Sequence, residues 1–362
     1  MTLKKYLLLG LTALIFIFGC FALASCKPNI PVDATPTEGL EYEINEDGKS
    51  AFVVGMGTAI DTNIVIADTY NGVPVTSIRN GAFVYRQTLT SVVIPDSITS
   101  IGDEAFYFCK NLTSIVIPDS VTTIGDYAFT DCESLTSIDI PNSVTSIGRY
   151  VFRRCLSLSN ITVDKNNQYY KSIDGNLYTK NGETLIYYAG AKPATHFTVP
   201  NGVTAIEPYA FFSASNLTSV VIPNSVTTIG QCAFSGCGLT SVVMPNRLTS
   251  LGEGVFDGCS GLTSIVIPDG VTVIGKYTFF NCKNLTSVVI PDSVTTVSPY
   301  AFDGCKILTY AYYRGTPAQW QEISIDVNSP LLDTIRYYYS QTQPTSSGSY
   351  WHYVNNVPTV WR

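Results

Sequence analysis

Apolar and polar positions along most of this chain recur with a fixed period. Residues 89–111 read LTSVVIPDSITSIGDEAFYFCKN, and residues 112–134 read LTSIVIPDSVTTIGDYAFTDCES, 23 positions later. A third copy opens at Leu135 and a fourth at Leu158, where the pattern breaks off. It resumes at Leu217, Leu239, Leu262 and Leu285, and Leu308 opens a truncated copy. Within LTSVVIP, Leu89, Val92 and Ile94 face one way and Ser91 and Val93 the other, as neighbours on a strand do. Pro95 ends the strand because it has no N–H to give, and Asp96-Ser97 makes the corner. A second short extended piece carries Ile98 and Ile101, and Gly102 supplies a permissive backbone position. Residues 103–106 predict about one helical turn that delivers Phe106 and Cys109 inward. One such coil has no way to bury its Leu, Val, Ile, Phe and Cys alone, whereas stacked coils form a continuous core. The pattern predicts a solenoid, mainly β with one-turn helical segments.

The departures from the period divide the chain. Residues 40–72 predict an N-terminal hairpin cap, with Leu40, Tyr42 and Ile44 alternating ahead of an Asp47-Gly48 turn. Repeats occupy 73–163 and 196–308. Between them, residues 164–195 carry Asp174-Gly175 and Asn181-Gly182 turns between short apolar runs, and predict a β-hairpin island that projects from the solenoid. Asp164, Asn166, Asn167 and Asp174 are oxygen-bearing residues, but EF-hand spacing is absent and turn formation accounts for them. Residues 309–362 hold all three tryptophans and a Tyr-rich run, and predict an aromatic C-terminal cap.

The string LTSxxIPxSVTxIGxxAFxxC resembles the BspA-type leucine-rich repeat of bacterial surface proteins, over nearly all of the chain from about Leu40. The resemblance implies a horseshoe-like right-handed leucine-rich-repeat solenoid and a surface location. It implies a protein-interaction or adhesion role more loosely, because outward residues choose the partner of such scaffolds. The island and the YYRGTPAQWQEI stretch also resemble features found beside these repeats.

Residues 1–25 read as a processing segment, with Lys4 and Lys5 ahead of an apolar run and Leu23-Ala24-Ser25 before Cys26. That ending resembles a bacterial lipobox, which implies a lipid on Cys26 and anchoring at a membrane. Residues 26–39, Pro-rich and polar, predict an extended tether. The formal net charge is −7 without basic clusters, which excludes nucleic acid as an expected partner. Cys109, Cys132, Cys155, Cys237, Cys259, Cys282 and Cys305 each follow the repeat phenylalanine by three residues, which predicts a ladder of buried free thiols. Cys232 lies off that pattern and is the candidate reactive thiol.

Catalytic signals are missing from the sequence. His196 and His352 are the only histidines, neither lies in a nucleophile or metal motif, and the repeat acids fall at turn positions. No enzyme activity, cofactor or metal is expected. The candidate binding face is the outward row of the repeat strands: Ser91, Val93, Ser114, Val116, Ser219, Val221, Val243, Val266 and Val289. A ribbon of valine beside serine marks a contact surface, although β-branched ladders also stabilise sheets whatever they face. Trp320, Tyr338, Tyr350 and Trp351 form a second candidate, an aromatic platform, against which stands plain capping of the last coil. The expected partner is an extracellular protein or glycan. A carbohydrate-binding accessory protein and a passive envelope scaffold are the alternatives.

Overall fold

The computed structural model describes residues 35–345 and 348–361. The signal segment, Cys26 and most of the predicted tether lie outside the described residues. The chain is already fastened to the body at Thr37, whose N–H donates to the Val65 carbonyl at 2.9 Å while its hydroxyl accepts from Val65 N–H. The described tether is therefore shorter than the composition implied.

Each coil runs through two short parallel strands and a third, turn-built side. The front strands are the LTSxxI segments, such as Ser91–Val93, which pairs in register with Ser114–Val116. The back strands are two-residue pieces such as Ser100–Ile101 beside Thr123–Ile124. Front and back strands stack on counterparts one period away, so a succession of short parallel sheets lines each of these two sides. Inward residues form columns of like on like. Phenylalanines from Phe83 to Phe152 and from Phe211 to Phe302 stack with ring centroids 4.6–6.1 Å apart. Beside them each ladder cysteine is free and donates from Sγ to the phenylalanine carbonyl one coil back, at 2.9–3.2 Å.

Two features of the repeat act along the stacking direction. The Thr of LTS and of VT lends its hydroxyl to the equivalent carbonyl of the previous coil, as Thr113 does to Thr90 and Thr122 to Thr99, both at 3.1 Å. Each hydroxyl thus adds a second bond to a carbonyl that already accepts the backbone N–H of the same threonine. Gly102 has an ordinary φ, but a Cβ there would lie 2.6 Å from the Asn80 backbone nitrogen. It is glycine because the coils approach closely, not because the turn demands it.

The third side differs from the helical turn expected of it. Glu104 and Phe108, Tyr127 and Asp131, and Tyr277 and Asn281 all have φ near +60°, in the left-handed region. The backbone alternates: Phe106 N–H donates to Ala128 of the next coil, while Tyr107 N–H closes back on Glu104. A helix would spend every N–H inside its own turn and leave no bonds between coils. Here the inter-coil bonds offset the cost of the left-handed residues. Cys232 sits off the cysteine pattern because it fills one of these positions, with φ of 52°.

The insertion does not project. Tyr170–Ile173, Asn176–Thr179 and Thr184–Tyr187 form an antiparallel meander whose last strand pairs in parallel with Ala205–Ile206 of the back sheet. Its residues alternate between two cores: Leu177 and Tyr187 pack with the N-terminal coils, Tyr178 and Leu185 with the C-terminal ones. The island is a septum through the solenoid, and Tyr187 and Tyr188 carry the aromatic column across it, 5.7 Å from Phe152 and 4.9 Å from Phe211. Asn167, fully buried, closes the end of the N-terminal core. Its amide donates to the carbonyls of Pro141 and Val144 at 2.8 and 2.9 Å and accepts from the N–H groups of Tyr169 and Tyr170.

The ends are closed by sheet additions. Glu41–Ile44 and Ala51–Gly55 form an antiparallel hairpin, the latter parallel to Val73–Ile78. At the other end the front sheet continues from Ser264–Val266 through Tyr310–Tyr313 and Ile335–Tyr339 to an antiparallel hairpin of Tyr350–Val354 and Val357–Val360. A short α-helix, Pro317–Gln321, starts in a capping box between Thr316 and Gln319.

Candidate binding surfaces

The front strands position the predicted ribbon, and the structure keeps only part of it free. Val221, Val243 and Val266 are 42%, 59% and 49% exposed, and Val221 lies directly beside Val243 in register. Ser241 is exposed on the same strand as Val243, and Ser114 is exposed in the N-terminal half, whereas Val93, Val116, Ser91 and Ser219 are half-buried. Ser91 is also engaged, donating to the Asn63 side chain at 2.7 Å. Asp139 and Thr162 interrupt the row in the N-terminal half and bond to each other. Val289 is a correction: it is 3% exposed and belongs to no open face. The next strand opposite it carries Tyr312, part of an aromatic cluster with Tyr337 and Trp351 at 5.6 and 5.5 Å. The cap thus ends the ribbon at Val266.

The aromatic platform is corrected for its two tryptophans. Trp351 is fully buried and its Nε1 donates to the Tyr313 carbonyl at 3.0 Å. Trp320 is buried too, edge-on to Tyr313 at 5.2 Å and covered by the Arg336 guanidinium at 5.7 Å. A platform needs an exposed ring face, and neither offers one. These rings cover the last coil, where no further repeat exists to bury it. Tyr338 and Tyr350 are half-buried within the same cap.

Of the titratable groups, burial pushes the thiols of Cys109 and Cys259 up to about 12, so they remain protonated at neutral pH. Cys232 is half-buried and its pKa is also raised, chiefly by burial and against a hydrogen bond from Tyr209. That makes it a weaker nucleophile than an exposed thiol, contrary to the expectation from its position. The Asp126 carboxylate accepts from Arg149 N–H and from its guanidinium, which lowers its pKa, and Asp103 accepts from Asp126 N–H in the same way. These acids are rungs of a ladder between coils. His196 is exposed and bonded to its neighbour Thr195, and His352 lies flat on Trp361 at 3.6 Å. Among the described residues no cluster of His, Cys, Asp and Glu is placed to hold a metal ion. No helix among them is long and apolar enough to cross a membrane.

Sequence reasoning did not find a cleft of about 310 Å³ on the turn side at the septum. Phe152, Ile147, Ile186 and Tyr187 form its floor, and Tyr150 and Tyr209 lean together across it with ring centroids 5.1 Å apart. Its only trace in the sequence is the broken period after Leu158.

The parallel two-sheet solenoid with leucine, phenylalanine and cysteine columns is that of a leucine-rich-repeat protein. The chain belongs to the BspA type leucine rich repeat family, whose repeat region matches residues 76–179 and 186–309 in 6 copies. It is similar to the crystal structure of a leucine-rich cell surface protein from Faecalibacterium prausnitzii, at 31% identity over 82% of this chain and 99% of that one, with a TM-score of 0.51. It also shares its fold with the pneumococcal vaccine antigen PcpA, at 22% identity over 83% of this chain and 77% of that one, with a TM-score of 0.66. No curated protein matches the chain.

Proposed function

We propose that this is an extracytoplasmic binding module, held at the bacterial surface through a lipid on Cys26, that engages an extracellular protein through the front sheet. One observation carries the reading: Val221 and Val243 stand exposed side by side on paired front strands, and Val266 is exposed on the front strand of the next coil. An apolar row fixed on paired strands presents contact area with little ordering cost on binding. The surface location of the Faecalibacterium relative supports the compartment, and the buried free thiols are compatible with it because no thiol among the described residues is fully exposed to pair with them.

The test is a binding screen of the chain lacking residues 1–26 against extracellular-matrix proteins and a glycan array, alongside a variant with Val221→Lys, Val243→Lys and Val266→Lys. A saturable protein hit weakened at least tenfold in the variant is the expected result. A glycan hit indifferent to the lysines would refute the sheet-face reading. Radioactive palmitate should label the full chain and not Cys26→Ala.

A further inference from the structure

From Phe83 to Phe279, each phenylalanine of the column donates its N–H to a carbonyl of the following coil at 2.8–3.1 Å, with one exception. Phe152 has no such partner among the described residues. The flanking N–H groups of Tyr150 and Arg154 have none either, although their counterparts Tyr127 and Asp131 bond to Arg149 and Arg153. Across the cleft the reverse holds. The carbonyls of Pro208 and Phe212 accept nothing among the described residues, while their counterparts Asp126 and Thr130 accept from Glu104 and Phe108. The septum explains the gap: it supplies Tyr187 and Tyr188 at the level of the aromatic column, and Tyr188 N–H bonds Ala210, but it contributes no turn to the third side. One coil's worth of backbone is missing there, between a lip of donors and a lip of acceptors.

We propose that this cleft receives a peptide segment of another protein, added in the place of the missing turn. Only a polypeptide backbone offers carbonyls to one side and N–H groups to the other at the coil spacing of about 4.8 Å. A small anion would leave the carbonyl lip unpaired, and sugar hydroxyls, which donate and accept, do not repeat in the fixed alternation of a peptide backbone. Side-chain preference follows from the walls. The apolar floor of Phe152, Ile147 and Ile186 takes an aliphatic or aromatic residue. Arg153 asks for an acid beside it. Its guanidinium lies 4.6 Å over the Tyr209 ring, its Nε is buried with no acceptor, and it makes no ion pair among the described residues. The occupant is an extended segment with an apolar residue next to Asp or Glu.

Two measurements test this. In hydrogen–deuterium exchange with residue-level fragmentation, the amides of Tyr150, Phe152 and Arg154 should exchange at least a hundredfold faster than those of Tyr127, Phe129 and Asp131. Panning a phage-displayed library of random dodecapeptides against the protein should enrich acidic–apolar sequences that protect those three amides. Their affinity should fall at least tenfold in Arg153→Ala and in Thr184→Trp, which fills the cleft from its rim, and stay unchanged in Val327→Lys, at an exposed position in the C-terminal cap. Amides already slow in the free protein would overturn the proposal, as would no enriched peptide, or peptides indifferent to both cleft variants. A concentration-dependent dimer that protects the same amides would replace the foreign peptide with a second copy of this chain.

Discussion

Removing Phe129 should unfold half of this molecule and leave the other half standing. Phe129 is fully buried and stacked between Phe106 and Phe152 at 5.5 and 6.1 Å, so Phe129→Ala leaves a cavity costing about 3–5 kcal/mol. In a solenoid that loss spreads only as far as the interfaces between coils transmit it. Other coil interfaces keep their turn-side bonds and at least one strand pairing. At the septum the front strands end with Asn160–Val163, the back strands with Ser146–Ile147, and the turn side lacks the bonds of Tyr150, Phe152 and Arg154. Those three missing bonds alone forgo about 3 kcal/mol of coupling at about 1 kcal/mol each. All three tryptophans lie in the C-terminal cap, so their fluorescence reports only the far half. In urea, Phe129→Ala should show a biphasic far-UV circular dichroism curve, with the tryptophan transition still at the wild-type midpoint. Phe256→Ala, in the other half, should move the tryptophan transition itself. Coincident transitions by both probes, shifted alike in both variants, would refute the idea that the septum is a weak joint.

Asn167→Ala should destabilise the N-terminal half by about 2–4 kcal/mol, because it strands buried carbonyls of Pro141 and Val144 and the N–H groups it serves, and urea midpoints would read the loss. Trp351→Ala should cost about 3–5 kcal/mol and expose Tyr312, which limited proteolysis of the C-terminal hairpin would detect. Stability should fall above about pH 9. The Cys109 and Cys259 thiols are held near 12 in the folded state against 9.0, so their contribution is complete below pH 9 and lost as pH rises towards 12. Each such thiol contributes a slope of up to about 1.4 kcal/mol per pH unit in that window. Urea midpoints at pH 8 and pH 10 measure it, and Cys109→Ala should flatten the difference.

The inward half of each repeat was legible because burial selects the same residues in every copy. Leu89, Ile94, Phe106 and Cys109 recur, and the solenoid stacks them. What faced neighbouring coils was harder to read. Asp103, Asp126 and the LTS threonines look like surface, yet their oxygens bond between coils, a role with no hydropathy signature. The left-handed positions were hidden because Glu104, Tyr127 and Cys232 hold them without glycine, paid by bonds visible only in three dimensions. The ribbon was over-extended by one strand because periodicity says nothing of what packs on top of Val289. The island's two turns were readable from Asp174-Gly175 and Asn181-Gly182. Its septum role was not, since alternation in Leu177-Tyr178 serves equally a sheet with one wet face or one with two dry ones.

The bonds that alternate turn-side N–H groups make between coils run in one sense, each aimed at the coil that follows, as Phe106 to Ala128 and Phe129 to Val151. Their peptide dipoles therefore add along the long axis, as those of an α-helix do along its own. The N-terminal stack finishes its positive end at the N–H groups of Tyr150, Phe152 and Arg154, beside Arg153. The C-terminal stack opens its negative end at the carbonyls of Pro208 and Phe212. The two lips of the break are thus of opposite polarity, N–H groups facing carbonyls across it.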